Sequence, residues 1–225
     1  RVIYLQSSNL VRSNVPQALV YGGPTGSAAY GDFLVVVVAS YREITSVSAG
    51  WTEVASVGSV GQWLKVLTRS YSESGNQCSL SFSAIDEGPV TAVGMCWRAS
   101  NGFQTTPVKS HTENINNGSI VTSYALSSTL ANVTSDTKAI FVGGDGDSVT
   151  NNFSLGVSGT SWFKELSYDG TAYGHGMIAT YGGTGTTSAP SVTFGGTASA
   201  IKFAVGFVLQ EEPAGVVSYG LFGAQ

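Results

Sequence analysis

The segment Phe33-Leu34-Val35-Val36-Val37-Val38-Ala39 restricts the folds open to this chain more than any other stretch. Its residues are all apolar, and its valines are stiff at the first side-chain torsion and favour a pleated backbone. Gly31-Asp32 marks where it starts; Ser40, Arg42 and Glu43 mark where it stops. A short run bounded in this way reads as a β-strand buried on both faces. It cannot be a membrane span, which needs about 20 apolar residues. The chain must therefore supply a layer on each side of this strand.

The rest of the pattern is also β. Cys78-Ser79-Leu80-Ser81-Phe82 alternates strictly, with one dry and one wet face. Residues 63–68 and 89–97 read as further strands, as do 2–5, 18–21, 44–47, 120–124, 138–142, 177–180, 192–194 and 201–209. Glycine and proline mark 22–26 as a loop, 72–76 reads as a turn, and Gly143-Gly144-Asp145-Gly146-Asp147 reads as another loop. Residues 101–117 are polar and unpatterned, and read as a long connection. Apolar residues never recur at helical spacing for three turns, so very little helix is expected.

A chain of 225 residues can bury a core without disulfides or metals. Charged residues are only 11%, and the 29 glycines and many Ser and Thr suit a sandwich with small polar residues outside. The net charge is −4 with no basic run, which argues against nucleic acid and against an anionic membrane surface as partners. Cys78 and Cys96 lie in apolar stretches and read as small hydrophobes; a bond between them is open only if their strands are neighbours. Residues 1–6 lack the apolar core of a signal peptide, and no stretch is long enough to be a transmembrane segment. The sequence does not start with Met, which is compatible with a removed leader.

The order of elements occurs twice. Gly31-Asp32 and the valine strand correspond to Ser135-Asp136 and residues 138–142. Trp51 corresponds to Trp162, residues 64–68 to 175–179, 79–82 to 191–194, and 92–95 to 204–207. The offset is 111 at the tryptophans and 112 in the last two blocks. An isolated half would leave its doubly apolar strand uncovered. The expectation is therefore one all-β domain over 1–212: a two-sheet antiparallel β-sandwich, jelly-roll-like, built from halves at about 26–100 and 130–210, with both halves giving strands to it. Lys138 interrupts the second apolar run, which places that copy nearer a sheet edge. A glycine-rich C-terminal tail, 213–225, follows.

Gly31-Asp32-Phe33-Leu34-Val35-Val36, then Gly50-Trp51-Thr52, then a strand ending in Arg69, then the alternating strand at 78–82 and a closing strand at 92–98, resembles a recurrent β-sandwich module of phage virion proteins. That module is found in tail-fibre and capsid-associated proteins. The resemblance spans roughly 20–210, as an order of elements without a strict motif. It implies a jelly-roll-like fold and a structural role in a virion, with no catalytic residues to carry over.

Several groups merit weighing as sites. His111 and His175 are the only histidines, and no convergent ligands accompany them in the sequence. Asp145 and Asp147, with Asp169, could offer oxygens to calcium, but a calcium loop carries more carboxylates; an exposed turn is the preferred reading. Asp86 and Glu87 are adjacent, so they point apart in an extended chain and suit a turn better than a glycosidase pair. No nucleophile elbow, phosphate loop or Cys-x-x-Cys is present. Asn117, Asn132 and Asn152 head Asn-x-Ser/Thr triplets of the kind frequent by chance here. Among aromatics, Trp51 and Trp162 hold equivalent positions, which argues for packing; Trp63, Tyr168, Tyr173 and Tyr181 are the better candidates for a glycan platform. Val216, Val217, Tyr219, Leu221 and Phe222 in the tail, with Val2 and Tyr4 at the other end, are the candidate assembly contacts.

These readings point to a non-enzymatic protein without cofactor or metal. The first expectation is a capsid-decoration or cement protein on the outer surface of a phage particle. Its partners would be the major capsid protein and other virion proteins, and it would be a homo-oligomer, with a trimer favoured. The alternative is a tail-fibre or receptor-binding adhesin that holds a host glycan. A glycan-degrading enzyme has the least support, since no carboxylate pair stands out.

Overall fold

A computed structural model describes residues 1–12, 16, 18–21, 28–72, 76–85, 88–198 and 201–213. The described residues form β-strands and no helix. The first half contains β1 (Val2–Arg12), β2 (Ala18–Tyr21), β3 (Phe33–Ser40), β4 (Ile44–Val47), β5 (Thr52–Ser59), β6 (Gln62–Ser70), β7 (Cys78–Phe82) and β8 (Val90–Ala99). The second contains β9 (Phe103–Asn116), β10 (Val121–Ala125), β11 (Thr137–Phe153), β12 (Leu155–Ser158), β13 (Trp162–Tyr168), β14 (Gly170–Tyr181), β15 (Ser191–Ala198) and β16 (Ile201–Glu211).

The halves have one topology. The first builds a five-stranded sheet, β1-β8-β3-β6-β5, and a three-stranded sheet, β2-β7-β4. The second builds β13-β14-β11-β16-β9 and β10-β15-β12. Numbered from its own first strand, each half therefore reads 1-8-3-6-5 over 2-7-4. This is an antiparallel eight-strand jelly roll in which the fifth strand stays with the larger sheet. The two larger sheets face each other and form the sandwich to which both halves contribute. Each half adds an outer three-stranded sheet beyond the two sheets expected, so the molecule has four layers.

The valine strand explains the stacking. Phe33, Val35, Val37 and Ala39 enter the core between the two large sheets, against Ile140, Val205 and Phe207. Val36 and Val38 point the other way, against Leu19, Tyr21 and Leu80 of the outer sheet. Both faces are dry because both are covered, and each buried valine contributes about 1.5–3 kcal/mol. Asp32 starts the strand: its carboxylate accepts the Ala29 N–H at 2.7 Å and a two-pronged contact from Arg98 at 2.6 and 2.7 Å.

Register confirms the duplication. Val36 stands between Leu67 and Gly94; Phe141 stands between Ala179 and Gly206. Gly94 leaves room for Tyr21, and Gly206 for Leu126, each reaching in from the covering layer. The bulge at Val54, between Glu53 and Ala55, recurs at Glu165, between Lys164 and Leu166. The bulge at Leu5 in β1 recurs at Lys109 in β9. Register also moves one correspondence by a residue: Leu67 matches Ala179 and Thr68 matches Thr180, so residues 64–68 answer to 176–180.

Three local expectations are corrected. Residues 103–116 are not a connection but the long edge strand β9, paired with β16 along one side; only Phe103, Val108 and Ile115 turn apolar side chains to the core, and most of the rest are polar. Residues 143–147 are not a loop but the middle of β11, with 143–146 paired on both sides; glycine at 143 and 144 suits the close approach of Val192 and of the His175 carbonyl. The second copy of the valine strand is not near an edge: β11 is third of five, and Lys138 sits only at its start.

Candidate functional site: a cleft between the two halves

The two large sheets stack so that the first strand of each half packs against the sixth strand of the other. β9 lies over β5 and β6, and β1 lies over β14. A pair of clefts related by the duplication results. One, of about 720 Å³, runs between β5–β6 and β9. The other, of about 230 Å³, runs between β1 and β13–β14.

Matched positions explain the difference in size. Thr68 and Thr180 are equivalent, and each lines its own cleft. Tyr4 and Trp97 fill the small cleft, their rings edge-on at 5.4 Å. In the large cleft Val108 stands at the Tyr4 position, and Leu209 at the Trp97 position of the partner strand. Lys138 and Glu165 line the small cleft, and Glu165 holds a hydrogen bond from Thr180. Phe33 and Val54 replace them in the large one. Val108 in place of Tyr4, an apolar floor, and an irregularity of β9 at 104–107 that β1 lacks leave the large cleft open.

Its walls are polar. Thr52, Ser70, Ser72, Thr105 and Thr106 supply hydroxyls. Arg69 lines it from β6, its guanidinium donating to the Ala49 carbonyl at 3.3 Å and to Ser72 Oγ at 3.4 Å. Lys109 lines it from β9 and is exposed. Glu53 is engaged by Lys65, and His111 lies 2.9 Å from Glu113. Arg69 and Lys109 have no carboxylate partner among the described residues. The cleft can thus offer two cations and several hydroxyls to a ligand.

A second polar group lies buried. Asp145, His175 and Lys202 stand directly across three adjacent strands of the second half's large sheet. Their positions in that sheet's alternation turn them to the face covered by the outer sheet, and all three are fully buried. Asp145 Oδ1 accepts from the His175 backbone N–H at 3.1 Å and lies 2.9 Å from His175 Nδ1. Lys202 Nζ donates to the Ser119 carbonyl. Burial pushes the Asp145 carboxyl up, and His175 pulls it partly back; burial pushes the Lys202 ammonium down. Asp147 is buried nearby, so the exposed-turn reading of Asp145 and Asp147 fails. The matching residues of the first half are Ser40, Trp63 and Val90.

The other singled-out residues fall in different places. Asp169 accepts from the Leu155 N–H and from Ser167. Trp51 and Trp162 share a role: each indole N–H donates, at 3.0 Å, to a carbonyl just ahead of the seventh strand of its half, from Gln77 and Ser188 respectively. Tyr168 and Tyr181 sit at opposite ends of the β13–β14 hairpin, Tyr168 against Ser7 and Tyr181 against Trp162. Tyr173, part-exposed, is eight residues from Tyr181 along β14, roughly 26 Å at strand rise. Trp63 lies in the other half with Tyr41 and Arg42. The four do not share one platform. Val2 is buried between the large sheets. Val216, Val217, Tyr219, Leu221, Phe222, Asp86 and Glu87 lie outside the described residues. Cys78 and Cys96 are both buried and free. Among the described residues no metal-binding group of His, Cys, Asp and Glu occurs, and no helix is long and apolar enough to cross a membrane.

No family model matches the chain, and neither a curated protein nor a solved structure is significantly similar to it.

Proposed function

We propose that this chain is a non-enzymatic structural protein of a phage particle, a decoration protein that binds the outside of the shell and stabilises it. The observation that carries the reading is the pair of jelly rolls packed through their larger sheets. Jelly rolls recur in capsid and lectin proteins, whose work is binding; the support is fold-level analogy together with the order of elements read from the sequence. A four-layer block of this kind presents broad rigid faces to the major capsid protein and to other copies of itself, in a symmetric oligomer such as a trimer. Particles stripped of the protein should lose infectivity at a lower temperature than complete ones. Equal thermal survival overturns the reading.

The open cleft favours a second reading, a receptor-binding adhesin that holds a host glycan. Hydroxyl-rich walls around an apolar floor suit a sugar better than they suit a capsid face. Under this reading the binding residues are those of the cleft and not the dispersed aromatics. Glycan binding lost on substitution in the cleft supports it; binding lost on Trp63→Ala or Tyr173→Ala instead returns the site to the aromatics.

A further inference from the structure

The duplication supplies an internal control for the open cleft. A feature required by the jelly roll should appear at both matched positions; a feature present in one half only serves something else. Thr68 and Thr180 are of the first kind, as are the paired bulges. The two cations are of the second. Arg69 holds the position of Tyr181, which packs on Trp162 in the other half. Lys109 is the bulge residue of β9, and the matching bulge residue of β1 is Leu5. The fold therefore tolerates uncharged residues at both places.

The two cations stand in a protein of net charge −4 that has only 10 Lys and Arg in all. Among the described residues no carboxylate pairs with them: Glu53 is taken by Lys65, and Glu113, which does not line the cleft, is hydrogen-bonded to His111. In the small cleft the opposite holds: Lys138 has Glu165 beside it. Among the described residues, the large cleft is thus both the emptied one and the one whose two cations have no carboxylate partner.

The walls also discriminate between ligand classes. A peptide would bind most simply by adding a strand to the open edge of β5 or β9. Both edges are broken, β5 by the bulge at Val54, and β9 by the bulge at Lys109 and by Pro107, which has no N–H to donate. Side-chain hydroxyls, not a backbone ladder, are what the cleft offers, and hydroxyls match a saccharide.

We propose that the open cleft binds an acidic saccharide, its carboxylate held by Arg69 and Lys109 and its ring hydroxyls by the surrounding Ser and Thr side chains. This deepens the glycan reading of the cleft and rests on it. The test is calorimetric titration of the intact chain at low salt with a galacturonate tetrasaccharide, a neutral galactose tetrasaccharide and a tetraglutamate peptide. The galacturonate should bind, and the interaction should weaken at high salt. Arg69→Gln with Lys109→Gln should weaken it about 10-fold or more, at unchanged thermal midpoint. Lys138→Gln, in the small cleft, should leave it intact. Equal binding of the neutral sugar, lost on Val108→Tyr, overturns the acidic class while the glycan reading stands. Absence of binding by either sugar overturns both. Tighter binding of the glutamate peptide, or galacturonate binding indifferent to the double substitution, overturns the assignment to this cleft.

Discussion

Thr68 and Thr180 occupy the same point of the two halves, Thr68 opposite Val35 and Thr180 opposite Ile140, yet one lines a cleft of about 720 Å³ and the other a cleft of about 230 Å³. The strand order and the bulges at Leu5 and Lys109 are the same in both halves, so the difference lies in the neighbouring side chains and in one backbone irregularity, residues 104–107 of β9 opposite Gln210, which β1 lacks. Side-chain exchange, together with the added residues in β9, opens one cleft and leaves the other filled.

Filling the open cleft should therefore be nearly free. Val108→Tyr copies the residue at the matching position, and its effect on the urea midpoint should stay within about 1 kcal/mol. Tyr4→Val removes the edge-on contact with Trp97 and should cost about 1–2 kcal/mol. The reverse ranking contradicts the account of the two clefts.

Gly94→Ala puts a methyl against the Tyr21 ring, which is itself buried and hydrogen-bonded to Ser8. The loss should be about 1–3 kcal/mol by overpacking. Gly206→Ala meets the ends of two flexible side chains, Leu126 most closely and then Leu130, so Leu126→Ala in the same chain should recover part of the loss. An unchanged midpoint for Gly94→Ala means the outer sheet does not pack as described.

The buried charges set a pH test. The folded-state carboxyl of Asp145 is raised, so the stability it contributes is present below its unfolded value and lost as pH rises through the folded one. The folded-state ammonium of Lys202 is lowered, so its contribution is present above its unfolded value and lost as pH falls through the folded one. In the neutral window between, both groups cost stability that only their contacts offset. Asp145→Ala alone should destabilise by about 3–5 kcal/mol at pH 7, because His175 loses a hydrogen-bond partner and the buried Lys202 loses one of the negative charges that support it. Asp145→Asn with Lys202→Met should be at least as stable as the parent there, and a double-mutant cycle reads the coupling.

Burial pushes the Cys78 and Cys96 thiols up to about 12. At pH 8 roughly one in ten thousand of each is then thiolate. The native chain should not react with a disulfide reagent, and two equivalents should react on unfolding. Rapid reaction of the folded chain contradicts the placement of both residues.

What could be read before the structure follows from where each signal resides. The valine strand, the alternation at 78–82 and the repeated order of elements are local, and burial by covering layers makes them visible in composition. β9 was hidden because its few core-facing apolar residues, Phe103, Val108 and Ile115, are widely spaced and the register shifts between them break the alternation. Asp145, His175 and Lys202 were hidden because they meet across three strands, and because Gly-Gly-Asp-Gly-Asp resembles a turn where it in fact makes room for close packing. The cleft arises only when two sheets stack. Its one sequence trace is the departure from the repeat, Arg69 against Tyr181 and Lys109 against Leu5, which a residue-level alignment of the halves exposes.

The most direct test of the proposed virion role is labelling, with antibodies against this chain, of intact phage particles purified from cells that express its gene. The account predicts many copies spread over the head. Absence from the particle contradicts a virion role altogether, and label confined to the tail contradicts decoration and leaves the adhesin.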